Sequence, residues 1–302
     1  MEETPKKPNW WVSVVAWFSM LIASSVGIII LKEFEISYPP WYPWLHVGAL
    51  GIVLIFSIFI KILHPLRLYI VILLILFLLG FGGGWDWGLI PYIRDTQIWI
   101  DWETNSSWIV ASLGIHSLRL VPAVFILITL LITGKKPRDF YLVVGDIRAQ
   151  VEPTIIIGMK KPDSWPKIGL IFAGIFTLGT LIFSIIVNPI PWVQFRTNWL
   201  YLPVAILIAA MNAFNEEFSL RAAPLSQLFD TLGKTQSLLI TSIFFGIGHF
   251  YGVPNGVVGI LLSTFLGWFI GKSLIETKGF FWAWLIHFLP DVIIFSFYAL
   301  SA

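Results

Sequence analysis

Eight apolar runs, each near or above the roughly 20 residues that cross a bilayer as a helix, limit what this chain can fold into. They lie at about 10–31, 42–60, 68–84, 108–133, 168–187, 199–220, 254–271 and 279–300. A shorter run, 237–250, is bounded by Lys234 and by Tyr251-Gly252-Val253-Pro254-Asn255-Gly256, and reads as a span that ends early or breaks. Hydrocarbon offers the backbone no partners, so each segment must satisfy its own polar groups as a helix. The expected fold class is therefore all-α: a polytopic transmembrane helical bundle of nine spans, or eight, with a small cytoplasmic loop able to form a hairpin. Composition agrees, since only 12% of residues are charged against about 25% in ordinary globular chains, and mean hydropathy is +0.85.

Cytoplasmic loops carry the excess of Lys and Arg. With a cytoplasmic N-terminus and nine spans, fourteen of these cations fall inside and only Lys32, Arg94 and Arg196 outside, while Arg119 and Arg221 fall within or at the edge of spans. Trp10, Trp11, Trp41, Trp44, Trp85, Trp108, Trp199 and Trp282 lie near the proposed span ends, where amphipathic rings favour the headgroup level. Residues 1–8 lead into the first run without a small-residue cleavage site, the pattern of a retained anchor. The expectation is an integral multi-pass protein of the cell membrane. A net charge of +2 supplies no basic patch, which excludes nucleic acid as a partner. With no cysteine, disulfides, thiolate metal sites and thiol proteases are excluded too.

Three regions are expected: an N-terminal four-span membrane region (1–133), a cytoplasmic loop (134–167) and a catalytic membrane core (168–302). Within the loop, 140–146 reads as a strand entering a turn and 153–158 as its partner, giving a surface hairpin or a substrate-guiding flap.

Ionisable residues inside a membrane are costly and mark functional sites by default. Asn215-Glu216-Glu217-Phe218-Ser219-Leu220-Arg221 puts three of them within six residues. Glu217 and Arg221, four apart, share a helix face and are expected to pair. Glu216 is turned about 100° away and is the better candidate base, unless Arg119 claims it. Phe245 lies one turn before His249, and His287 lies one turn before Asp291, with Pro290 freeing the Ile286 carbonyl. His116 and Arg119, three apart, either line the same cavity or serve helix packing. Gly267 and Gly271 mark close helix packing. A carboxylate with two histidines can take a proton from water for attack on a carbonyl. Alternatively His249, His287 and a carboxylate such as Asp291 can hold zinc with one position open. No cofactor is required by the first route, and Zn is the one the second implies.

These motifs, Glu216-Glu217-x-x-x-Arg221, Phe245-x-x-x-His249 and His287-x-x-x-Asp291 in that order, resemble those of the CPBP family of intramembrane proteases, which includes the type II CAAX prenyl endopeptidases and the bacteriocin-processing or self-immunity proteins. The resemblance covers roughly residues 134–302. It implies an intramembrane endopeptidase acting on a peptide or lipidated peptide near the cytoplasmic interface. By the same resemblance Glu216 is the base, His249 its partner in holding water, and His287 with Asp291 the oxyanion-stabilising or metal-binding pair; Glu217, Arg221 and Phe245 support them. Two positions depart from the family pattern: Leu220-Arg221-Ala222 replaces aromatic-Arg-Gly, and Asp291 stands where Asn is usual. An ionised Asp cannot donate to an oxyanion, so Asp291 is protonated, orients His287, or binds a metal. The alternative functions are a proton- or metal-coupled transporter and a catalytically inactive scaffold or immunity protein.

Overall fold

A computed structural model describes residues 9–80 and 86–302. The leader 1–8, with Lys6 and Lys7, and Trp85 lie outside the described residues. In chain order the helices are α1 (Trp10–Ala23), α2 (Val26–Glu33), α3 (Tyr42–Phe59), α4 (Arg67–Leu79), α5 (Leu89–Arg94), α6 (Gln97–Asn105), α7 (Trp108–Arg119), α8 (Val121–Ile132), α9 (Trp165–Val187), α10 (Trp192–Asn198), α11 (Leu202–Glu216), α12 (Ala223–Gly248), α13 (Gly256–Thr277) and α14 (Phe281–Leu300).

The chain is the all-α polytopic bundle its apolar runs require. Among the described residues seven helical stretches are long and apolar enough to cross a membrane, or eight if α1 and α2, bent by 46°, form one span. One of the seven, Trp192–Gly248, has 57 residues. As one straight helix, 57 residues at about 1.5 Å each would measure roughly 85 Å, well beyond one crossing of a core about 30 Å thick. Gly233 breaks it with φ 76° and ψ 172°, so the two runs expected at 199–220 and 237–250 are found toward its two ends.

Two compact units divide the chain: Met1–Arg94 with Pro122–Phe140 and Ser219–Lys272, and Asp95–Val121 with Tyr141–Phe218 and Ser273–Ala302. In the first, α3 and α4 pack together and on α1, and α12 packs against α1 and α4. Glycines let α12 and α13 approach: a Cβ at Gly246 would lie 2.7 Å from the Ile260 carbonyl oxygen, and one at Gly271 2.8 Å from Leu238 Cδ2. The Gly267/Gly271 spacing thus serves packing within the chain. His46 donates from Nδ1 to the Ile22 carbonyl (2.6 Å) and stacks on Phe77.

In the second unit α14 packs along both α9 and α11, and α7 packs on α11. Each contact has a local cause. Gly169 of α9 leaves room for the Trp282 ring, which a Cβ there would meet at 2.5 Å. Trp284 donates from Nε1 to the Ala210 carbonyl on α11 (3.1 Å). The Ser107 hydroxyl caps α7 by accepting from Val110 N, and Pro203 in the first turn of α11 sits where its missing N–H costs nothing. Helix α14 continues through Pro290.

The loop before α9 corrects the expected hairpin. Its strands are β1 (Gln150–Val151) and β2 (Asp163–Ser164), paired antiparallel, and neither 140–146 nor 153–158 is a strand. The first segment is engaged elsewhere: Phe280 N donates to the Val143 carbonyl and Asp146 N to the Thr277 carbonyl, both at 2.7 Å. Between those bonds Gly145 takes φ 76°, and its place against Gly279 admits no side chain. In the second segment Pro153 has no N–H to give a ladder, and residues 155–157 wind into a 3₁₀ turn instead.

Candidate active site

The second unit gathers four of the ionisable residues singled out by the sequence around one imidazole. His287, buried on α14, donates from Nδ1 to Glu217 Oε1 at 2.5 Å. Its Nε2 lies 3.8 Å from Glu216 Oε2 and 3.6 Å from Asp291 Oδ2. Those two separations exceed direct hydrogen bonding. They suit a water contacting nitrogen and both carboxylates together.

Adjacent residues Glu216 and Glu217 therefore address opposite nitrogens of the same ring. They can do so because α11 ends at Glu216 and the chain enters a π-helical turn, Glu217–Ala222. What Glu217 supplies to the second unit is a fully buried carboxylate on His287.

Asn212, one turn before Glu216, donates from Nδ2 to Glu216 Oε1 (3.2 Å) and to Asp291 Oδ2 (2.9 Å). This clamp was not among the residues selected from the sequence. The signal that could have found it is an amide four residues, one helical turn, before a carboxylate in a largely apolar run. Arg119, at the end of α7, places Nη2 3.5 Å from the same Glu216 Oε1, with its side chain 38% exposed. Glu216 thus has one oxygen anchored by Asn212 and Arg119 and the other directed at His287. Asp291 accepts from Asn212 through Oδ2. Hydrogen bonds to charged groups contribute about 1.5–3 kcal/mol each, so Asn212→Ala is expected to lower stability by roughly that amount and to reduce activity. Thermal unfolding in detergent, with the activity of the same sample, measures both.

His116 turns to other neighbours: Nδ1 donates to the Ser112 carbonyl (2.8 Å) and the ring meets Phe295 edge-on. Arg221, Phe245 and His249 form a group in the first unit. The Arg221 guanidinium lies 4.3 Å from the centre of the Phe245 ring, a cation–π contact. The His249 ring is 4.2 Å from the same ring. His249 donates from Nδ1 to the Phe245 carbonyl (2.8 Å), which places the lone pair of the neutral imidazole on Nε2. As for zinc, among the described residues no three His, Asp or Glu side chains are arranged to hold a metal ion. His287 commits Nδ1 to Glu217 and turns Nε2 toward Glu216 and Asp291.

Comparison with known proteins adds the family. A family model described as type II CAAX prenyl endopeptidase Rce1-like matches residues 197–293. No curated protein and no solved structure matches the chain. The matched segment is narrower than the 134–302 over which the motifs suggested resemblance. It contains Asn212, Glu216, Glu217, Arg221, Phe245, His249, His287 and Asp291, and leaves out His116 and Arg119. The match to the Rce1-like model at residues 197–293 supports the resemblance of this multi-pass membrane protein to the CPBP family of intramembrane proteases.

Proposed function

We propose that the protein is an intramembrane endopeptidase that hydrolyses a peptide bond near the cytoplasmic membrane interface, and that Glu216 is the base that activates water. The observation that carries this reading is the buried imidazole of His287, held at Nδ1 by Glu217 and directed by Nε2 between Glu216 and Asp291. A water over these three groups gives its proton to Glu216 Oε2 as its oxygen attacks the scissile carbonyl. The tetrahedral intermediate carries its charge on the former carbonyl oxygen. His287, with Nδ1 donating to Glu217, meets that oxyanion when Nε2 also carries a proton, a preorganised donor of the kind that contributes most to acyl transfer. Collapse breaks the C–N bond, and the proton held by Glu216 passes to the departing amine. Asp291, clamped by Asn212, flanks Nε2 beside Glu216 as a second acceptor for the water. His249 enters this reading through its motif, as a second group holding the water.

The family description suggests a substrate whose C-terminal cysteine bears a prenyl group. Purified full-length protein in lipid nanodiscs, offered farnesylated and unmodified peptides ending in Cys-aliphatic-aliphatic-X, tests both parts of the proposal by mass spectrometry of the products. Cleavage after the cysteine, faster with the lipid, is expected. Intact peptides after prolonged incubation with folded protein would contradict it and favour the inactive-scaffold or transport alternatives.

A further inference from the structure

We propose that the tip of the loop before α9, residues 154–159, is a membrane-surface anchor: Ile155 and Ile156 enter the boundary between headgroups and acyl chains, and Lys160 and Lys161 engage the phosphates of anionic lipids. The tip is a built structure. Thr154 and Met159 exchange two backbone hydrogen bonds of 2.9 Å, and Gly158, at φ 69°, donates to the Ile155 carbonyl. The Thr154 hydroxyl accepts from Ile156 N. This fixed turn holds Ile155 96% exposed and Ile156 56% exposed. Adjacent isoleucines presented in this way on a rigid turn mark an interaction surface rather than a fold requirement.

Position and charge identify what covers them. Strand β2 ends at Ser164, and the membrane-length helix α9 starts at the next residue, whose N–H donates to the Ala149 carbonyl (2.9 Å). The hairpin therefore stands at the face of the bilayer where α9 begins. Ile155 is four residues beyond Val151 of β1, about 13 Å of extended chain at most. Residues 148–167 carry four cations, Arg148, Lys160, Lys161 and Lys167, against two carboxylates, Glu152 and Asp163. Lys167 is committed within the loop, since its ammonium binds Asp163 at 2.6 Å and holds that carboxyl below its ordinary range. Lys160 and Lys161 are exposed and have no hydrogen bond or ion pair among the described residues. An apolar tip flanked by exposed lysines is the pattern of a segment lying in the interface, where buried apolar area and attraction to anionic lipid act together.

The chain has no cysteine, so Ile155→Cys in the full-length protein gives one site for an environment-sensitive nitrobenzoxadiazole label. The protein is placed in nanodiscs of phosphatidylcholine, with and without phosphatidylglycerol. Expected are a blue-shifted emission, quenching by lipids bearing a nitroxide at a shallow acyl carbon, and protection from aqueous iodide. Phosphatidylglycerol should increase the lipid quenching, and Lys160→Ala with Lys161→Ala should abolish that increase. A label quenched by iodide and untouched by nitroxide lipids would overturn the proposal. So would a label shielded by added substrate peptide but not by lipid, which would make the tip a peptide-docking surface. Lipid quenching indifferent to phosphatidylglycerol and to the lysines would overturn the role given to anionic headgroups.

Discussion

Glu216→Gln is expected to lower the rate of peptide hydrolysis by about 10²- to 10⁴-fold, the range supplied by a positioned general base, while the protein still folds. Gln has the shape of Glu and keeps an acceptor for Asn212 Nδ2. The neighbouring Arg119 is 38% exposed along its side chain, so losing its counter-charge does not strand a fully buried cation. What disappears is the basic oxygen directed at His287. Steady-state peptidase assays on protein with unchanged helical circular dichroism measure the effect. A variant that retains full activity would remove Glu216 from the chemistry.

Glu217→Ala should act through a different quantity. Glu217 is fully buried and accepts the shortest hydrogen bond of the cluster, from His287 Nδ1. Removing one partner of a buried, charge-assisted pair costs about 3–5 kcal/mol because the other is left without compensation. The expected result is a large fall in unfolding temperature together with lost activity, whereas Glu217→Gln, whose amide oxygen can still accept from Nδ1, keeps most of the stability. Equal stability of Glu217→Ala and the parent protein in detergent would show that the imidazole finds its support elsewhere.

Much of this architecture is legible in the sequence because membrane spans are set by length and apolarity, which a single chain displays directly. The ionisable residues stand out for the same reason: Glu216, Glu217, His287 and Asp291 interrupt runs that otherwise carry no charged side chain. Register is harder to read. Residues 140–146 have the composition of a strand, yet their backbone groups bond to residues 277–280, a pairing over more than a hundred positions that local pattern does not encode. The π turn at Glu217–Ala222 is another feature that local pattern does not announce, and it is there that Glu217 reaches His287. Asn212 escaped notice because an amide carries no charge, although one turn separates it from Glu216. Arg119, by contrast, is legible as a claimant on Glu216, and it lies beside that carboxylate.

The claim at the centre of this account is that Glu216 and His287 activate one water as a unit. A double-mutant cycle tests it: single-turnover cleavage of one peptide by the parent protein, Glu216→Gln, His287→Ala and the double variant, all in nanodiscs. Residues acting as a unit are strongly non-additive. The account predicts that the double variant is about as slow as the slower single variant. Rate losses that multiply, or a single variant that cleaves at the parent rate, would contradict it.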